Sequence, residues 1–472
     1  MEPEPDATPY PRMDPKTRAR RVEHAWELQR SLSEAGIQSV VITSVDNAGI
    51  TLYKTIPVAR LESAVARGIG IPPVFDAFLI DDSIVPTSPL AVAHGDLRWL
   101  PDPFALRVLA AQPGWAWAPV DKYLPSGDVF GNCQRTFARS MEQRAKDAGL
   151  DVLMAFEIEC FVGLDDETAI PAHPGPAYST TRFTQMAPLI KDIMVALETQ
   201  ELGVGVMHSE LGQGQLEVSV RASTPVAAAD AQVVVRQTIR AVVAAHGLRV
   251  SFAPVVILDE VGNGGHLHYS LWRDGDNLHA PGGSAPGGMQ PEGAAFTAGV
   301  LEHLPALLSI GCPSAASYLR LVPGRWAGAF GCWGIENREV ALRFVASDPD
   351  GLYPPESANI EVKCFDASAN PYLAVGAVLA AGLDGIERKL ELPPPVGDDP
   401  AALTSQERRE RGIVSLPGSL GEAVWQLERS EMLRAAMGAA QFDGFLAVRR
   451  GEAELFGPMT PQEIVAAHLW KY

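Results

Sequence analysis

The feature that most constrains this chain is a set of short apolar strands that each carry two polar residues at positions i and i+2. Phe156-Glu157-Ile158-Glu159, Gly265-His266-Leu267-His268 and Ile360-Glu361-Val362-Lys363 all show it. Side chains two apart on a strand point to the same face, so each segment has one charged and one apolar side. Glu210-Leu-Gly-Gln-Gly-Gln-Leu-Glu217 sets two further acids at either end of a glycine turn. Laid side by side, these strands converge on a cavity lined by Glu157, Glu159, Glu210, Glu217, Glu361 and His266. Like charges a few ångströms apart raise each other's pKa, and divalent cations are the simplest way to keep five carboxylates ionised. Hard oxygen ligands with one imidazole suit Mg²⁺ or Mn²⁺. A water-facing sheet face explains any one acid pair alone, and a hydrogen-bonded core pair explains the histidines. Four such pairs would each need a separate explanation.

A second cluster is basic. Arg320, Arg338 and Arg343 lie within the apolar segments Ser317–Gly324 and Trp333–Arg343. Arginine grips carboxylate or phosphate through two parallel bonds. Metals beside arginines point to phosphoryl chemistry on an anionic substrate. No Walker loop and no Rossmann glycine fingerprint is present, and Gly212-Gln213-Gly214 precedes a strand rather than a helix.

The 472 residues carry 38 Lys plus Arg against 57 Asp plus Glu, a formal charge of −19 that argues against nucleic acid and anionic membrane as partners. Five cysteines without a C-x-x-C pair give no disulfide framework or zinc ribbon. The N-terminus lacks a signal-peptide pattern and no apolar run is long enough to span a bilayer, which points to the cytoplasm. The expected organisation is a loose tail at 1–16, a small N-terminal domain at 17–115 and a catalytic domain at 116–472. The first domain reads as a helix at 17–35, a hairpin of strands 38–43 and 50–56 turning at 46–49, a helix at 58–67 and strands at 75–80, 96–100 and 107–111. Long helices are expected at 132–148, 182–201, 224–246, 290–309 and 370–390, with a helical stretch at 418–471 on the outside. Strands and helices do not alternate regularly, which favours an α+β fold with an antiparallel sheet.

These motifs, in this order, resemble the glutamine synthetase superfamily. The likeness rests on Glu157-x-Glu159, Glu210…Glu217, Gly262-Asn263-Gly264-Gly265-His266-Leu267-His268, Arg320-Leu-Val-Pro-Gly324, Glu336-Asn337-Arg338 and Asp366-x-Ser-Ala-Asn-Pro-Tyr372. The resemblance implies a small N-terminal β-grasp domain, a catalytic domain with an antiparallel sheet flanked by helices, and ring homo-oligomers, usually dodecamers, with active sites between neighbours. It implies one metal on Glu159, Glu210 and Glu217, and a second on Glu157, His266 and Glu361. Arg320, Asn263 and Gly264 would hold glutamate. His268, Ser270, Arg338 and Arg343 would serve ATP, and Asp46 of an adjacent subunit would help deprotonate the incoming amine. The implied reaction phosphorylates the glutamate γ-carboxylate with ATP, and an amine then displaces phosphate. Arg338 would stabilise the transferring phosphoryl group.

Three departures matter, and the first bears on the amine. After Arg320-Leu-Val-Pro-Gly324 the family places an aromatic residue and then a glutamate that binds ammonium, whereas this chain has Arg325 and Trp326. An indole cannot accept ammonium's proton, but it offers an apolar and cation–π surface to an alkylamine. Lys363 replaces an arginine expected near the γ-carboxylate, and Asn359 one expected near ATP. The resemblance is therefore closest to the γ-glutamyl-amide synthetases of nitrogen metabolism, with ethanolamine or another small alkylamine preferred and a polyamine as the alternative. An ammonia-using synthetase and a catalytically silent, ligand-sensing relative are the rivals; the six intact metal positions disfavour the second.

Overall fold

The computed structural model describes residues 10, 12–348 and 351–472, so most of the expected tail lies outside the described residues. Helix α1 (Pro15–Glu34) starts two residues earlier than its apolar pattern indicates. Asp14 accepts hydrogen bonds from the Lys16 and Thr17 amides, and Pro15 fits the first helical position. Strand β1 (Ser39–Val45) and β2 (Thr51–Pro57) form the hairpin. Helix α2 (Leu61–Arg67), β3 (Ile69–Ile71), β4 (Leu97–Pro101), β5 (Arg107–Val108) and β6 (Trp115–Tyr123) complete the small unit. Its sheet runs β2-β1-β6-β4-β3, with β5 on β6 and only β1–β6 parallel. The small sheet thus extends past residue 115. Strand β6 is buried on both faces, and such a strand shows no alternation to read. The expected strand at 75–80 is instead a short 3₁₀ turn over Pro73–Ala77, where two successive prolines remove backbone donors.

The larger unit begins with α3 (Gln134–Asp147) and β7 (Asp151–Leu164), then α4 (Thr180–Thr199), β8 (Val204–Ser209), β9 (Gln215–Val220), α5 (Pro225–Ala245) and β10 (Leu248–Ser251). Strand β11 (Gly265–Arg273), β12 (Asp276–Asn277), α6 (Pro291–Gly311), α7 (Ser317–Arg320), β13 (Phe330–Ile335), β14 (Val340–Val345), β15 (Asn359–Val362) and α8 (Pro371–Arg388) follow. The sheet order is β13-β14-β15-β11-β7-β9-β8. It is antiparallel except at β13–β14, so it is mixed rather than wholly antiparallel. Helices α3, α5, α6 and α8 pack together behind it. Helix α6 is long and apolar enough to cross a membrane, but most of it is buried in this core.

The C-terminal helices α9 (Ser405–Glu410), α10 (Leu420–Glu428), α11 (Glu431–Met437), α12 (Ala439–Phe456) and α13 (Pro461–His468) do not merely coat the outside. Arg449 and Glu452 of α12 are fully buried and paired at 3.0 Å. Arg449 also donates to the Asn47 carbonyl at 3.1 Å, and Glu452 accepts from the Ile80 amide at 3.3 Å. Tyr472 donates to the Ala48 carbonyl. From the other side, Asn370 donates to the Val45 and Asp46 carbonyls. Gly49 closes the turn at φ +85, where a Cβ would sit 2.0 Å from the Ser368 oxygen. The β1–β2 turn is therefore clamped between the catalytic unit and the C-terminus. Removing one partner of a buried ion pair strands the other, which costs about 3–5 kcal/mol. Arg449→Leu is expected to lower unfolding free energy by about that amount in denaturant titration, and a loss under about 1 kcal/mol would contradict the clamp.

Candidate functional site

Strand register brings the paired residues together. Glu157 of β7 faces His266 of β11, and Glu159 faces Glu217 of β9. His268 faces Glu361 of β15, which faces Arg343 of β14. At the far edge His208 of β8 faces Glu217. One sheet face thus runs from arginine, through acids and histidines, to an acidic edge. A cavity of about 550 Å³ opens on it, lined by Glu157, Glu159, Glu210, Glu217, His266, Arg320, Trp326, Arg338, Arg343 and Lys363 from the expected set.

Distances define the centre. His266 Nδ1 lies 2.8 Å from Glu157 Oε1 and 3.2 Å from Glu361 Oε1. Glu361 also accepts from Lys363 Nζ and Arg343 Nη1, each at 3.0 Å. Burial opposes charge on Glu157 and Glu361. The His266 hydrogen bond and the nearby His268 at Glu157, and the Lys363 charge and His266 bond at Glu361, outweigh it and hold both carboxyls well below the usual range. Burial and Lys363 oppose protonation of His266, yet its bonds to Glu157 and Glu361 carry it to about 9. Glu159 accepts from Gln215 Nε2 at 2.6 Å and the Gly264 amide at 2.8 Å.

The acidic edge contains residues that sequence reasoning missed. His208 lies 3.4 Å from Glu210 and 3.1 Å from Glu217, and Tyr178 donates to Glu210 at 2.7 Å. Burial, then repulsion from Glu157, Glu159 and Glu210, lifts Glu217 to about 7 against the pull of His208. The bond to Glu217 lifts His208 to about 9. His208 was findable, since it sits two residues before Glu210, at the end of β8 where the turn to β9 begins. Tyr178 was not: it lies in a loop at φ +56, outside any periodic segment.

The donor set fits divalent metal. Glu157, Glu159 and His266 offer ligand atoms within 4.8 Å of one another, as do Glu157, His268 and Glu361, and His208, Glu210 and Glu217. Asn359 donates to the Ser357 carbonyl and so presents its oxygen to His268 Nδ1 at 2.8 Å. His268 Nε2 then faces Glu157 at 3.7 Å, buried and without a hydrogen-bond partner. An imidazole oriented through its other nitrogen is how proteins present a metal ligand.

Several expected contacts fall elsewhere. Arg320 lines the cavity, but its guanidinium donates to the Cys364 and Lys363 carbonyls and lies 3.1 Å from His266 Nε2. Asn263 is buried and donates to the Ala253 carbonyl. Gly264 is a close approach, since a Cβ there would lie 2.3 Å from His266 Nε2. Ser270 accepts from the Trp272 indole. These four frame the centre. Arg338 lines the cavity with no hydrogen bond or ion pair to another described residue.

Trp326 sits at the mouth, half exposed, with φ +53. That conformation is costly for a bulky side chain, and strain of this kind collects at functional loops. Glu339 holds it by accepting from the Trp326 amide at 3.1 Å and the Gly324 amide at 3.3 Å. Arg325 ties the loop to the Asp259 and Glu260 carbonyls, beside Val261 and Gly262 of the cavity wall.

Asp46 lies apart from the cavity of its own chain. It is 2% exposed, and its carboxylate accepts from the Ala48 and Ile50 amides of its own turn. Burial raises it to about 8, with Asp76 adding to the rise. An unfolded aspartate releases its proton near pH 4, so between there and pH 8 the folded state holds the extra proton and loses stability as pH rises. Asp46→Asn keeps the acceptor without the charge. It is expected to raise Tm more at pH 8 than at pH 5 and to leave kcat unchanged; collapse of kcat with unaltered Tm would restore the catalytic role.

Comparison with known proteins places this geometry. A family model described as glutamine synthetase, catalytic domain, matches residues 131–465. A γ-glutamylpolyamine synthetase, GlnA3, of Streptomyces coelicolor is 48% identical over 462 residues, 97% of this chain and 98% of that one. A solved glutamine synthase homolog superposes with TM-score 0.83 at 35% identity, covering 92% of this chain and 99% of the other. A structure titled GmaS/ADP complex superposes with TM-score 0.80 at 27% identity, covering 92% and 98%.

Proposed function

The chain belongs to the glutamine synthetase family and is a carbon–nitrogen ligase, and from that premise we propose that it joins the γ-carboxylate of glutamate to a polyamine at the expense of ATP. The observation that carries the choice of amine is the acidic and aromatic edge of the cavity. The sequence alone favours ethanolamine or another small alkylamine, with a polyamine as the alternative. The fold sets two further acids beside the cavity wall. Asp259 and Glu260 immediately precede the wall residues Val261 and Gly262, their carbonyls accept from Arg325 of the Trp326 loop, and among the described residues neither carboxylate has an ion-pair partner. Tyr178 and Trp326 add aromatic surface for a chain of methylenes. The relative named for polyamine substrates supports the same reading.

Chemically, the roles follow the charge gradient. Arg343 and Arg338 face the basic end, where triphosphate belongs, and Arg338 is uncommitted and available to the transferring phosphoryl group. Glu157, Glu159, Glu210, Glu217, His266, His268 and Glu361 would hold Mg²⁺ or Mn²⁺, which offsets charge on the phosphates as the acyl phosphate forms. Lys363, whose ammonium is buried on Glu361 and lines the cavity, would meet the glutamate γ-carboxylate. The amine enters under Trp326 and must lose a proton before it attacks, because an ammonium has no lone pair. Glu210, held by Tyr178 and lining the same cavity as Trp326, is the acceptor we assign to that step. The apolar flap keeps water from the acyl phosphate. A ring homo-oligomer follows from the family resemblance.

Phosphate release with ATP, Mg²⁺ and glutamate should be faster, in kcat/KM, with putrescine or spermidine than with ethanolamine or ammonia. Highest kcat/KM with ammonia would sink the reading, and preference for ethanolamine would return it to a monoamine enzyme. Exposed charge pairs are worth up to about 1 kcal/mol each. The double variant Asp259→Asn, Glu260→Gln should therefore lose roughly threefold to thirtyfold in kcat/KM for spermidine while turnover of a monoamine holds. Trp326→Glu should shift preference toward ammonia, and an unchanged amine profile would reduce Trp326 to a packing role.

A further inference from the structure

A second cavity, of about 440 Å³, lies between the small sheet and the catalytic unit. Its roof is one face of β1, β2 and β6, including Tyr53, Trp115 and Trp117, and its floor is the Val233, Arg236, Gln237 and Arg240 face of α5. Three cations reach it: Arg236, Arg240 and Lys471. No carboxylate lines it. In a chain of net charge −19 this is an unusual concentration of positive charge.

The two arginines are built in. Both guanidiniums lie over the Phe252 ring, at 4.9 and 4.8 Å from its centre. Arg236 is 96% buried; its Nη1 donates to the Ala367 carbonyl at 2.8 Å, while its Nε has no partner. Neither arginine forms an ion pair with a described residue, and the one partner of Lys471 is Asp82, exposed and 3.9 Å away. Burial lowers both pKa values, Arg240's to about 10, and the Arg240 charge lowers Arg236 further. Like charges buried side by side without a counter-ion need one from outside.

We propose that this cavity is a binding site for a small dianion, a dicarboxylate or a phosphate monoester, whose charged end is held by Arg236, Arg240 and Lys471 and whose carbon frame lies against Tyr53, Trp115 and Trp117. The site is separate from the ligase cavity and does not depend on which amine that cavity uses. It is nevertheless coupled to it by contact. Arg236 holds Ala367, and Ala367 abuts Gly265, where a Cβ would lie 2.6 Å from its amide, one residue from His266. Gly49 and Ile50 of the clamped turn line the same cavity. An occupant therefore touches both Arg236, which holds Ala367 beside Gly265, and the clamped β1–β2 turn.

Calorimetry on the full-length protein tests this, with succinate and phenyl phosphate as probes and acetate as the monoanion control. At least one dianion is expected to bind saturably and more tightly than acetate. Loss of a charge-assisted contact costs about 1.5–3 kcal/mol, so Arg240→Gln, which breaks no hydrogen bond, should weaken binding roughly tenfold to a hundredfold. Lys471→Gln, at the surface, should weaken it less. Arg338→Ala, in the ligase cavity, should leave it intact. Which probe binds identifies the class. Absence of binding by both probes, affinity unchanged in Arg240→Gln, or binding lost in Arg338→Ala would each overturn the proposal.

Discussion

Mutual repulsion among carboxylates on one sheet face is the constraint on which the rest of the structure depends. Glu157, Glu159, Glu217 and Glu361 reach the same face through four neighbouring or next-neighbouring positions in the large sheet, and Glu210 joins from the β8–β9 turn. Such a face is stable only if cations are supplied to it. The chain supplies His266, Lys363 and Arg343 within 3.2 Å of Glu361. Each of these also meets substrate territory. The residues that make the acidic face tolerable are thus the ones that define where anionic groups of a ligand must go.

That dependence explains which parts were legible. Polar pairs at i and i+2 on apolar strands have a single sensible arrangement, so the six acid and imidazole positions could be named before any fold was known. The long helices were equally plain, because their apolar stripes repeat over many turns. What escaped reading were features without a period. Strand β6 is apolar on both faces and hides the extent of the small sheet. Tyr178 depends on a loop, and Asp259 and Glu260 on a loop docked by one arginine. Arg320 and Asn263 occur at the expected positions, but their donors are taken up by backbone carbonyls, which no spacing reveals.

Asp46 shows a different limit. A hairpin turn looks exposed in a sequence, since turns usually are. Here Asn370, Arg449 and Tyr472 all donate to carbonyls of residues 45–48, so the turn is the most tightly held part of the small unit. Its partners lie more than 300 positions away. Long-range pairing of this kind converts a surface element into a joint. The same joint fixes the loop from Asp366 to Asn370, which begins three residues after Lys363.

The gradient across the large sheet then limits the substrate to a molecule of a particular polarity. In the proposed reaction triphosphate would avoid the Glu210–Glu217 edge, where burial and then neighbouring negative charge raise Glu217 to about 7. A polycation cannot sit at the Arg338–Arg343 end. In the proposed reaction glutamate, with a carboxylate to be activated, would bridge the two. An ammonium ion would find the acidic edge attractive but would leave the Trp326 surface and the rim acids without a partner. Under the proposed polyamine reading, ammonium groups separated by methylenes would match carboxylates and aromatic surface in turn. Under that reading the indole at position 326 would be the apolar interval between acids rather than a defect in an ammonia site.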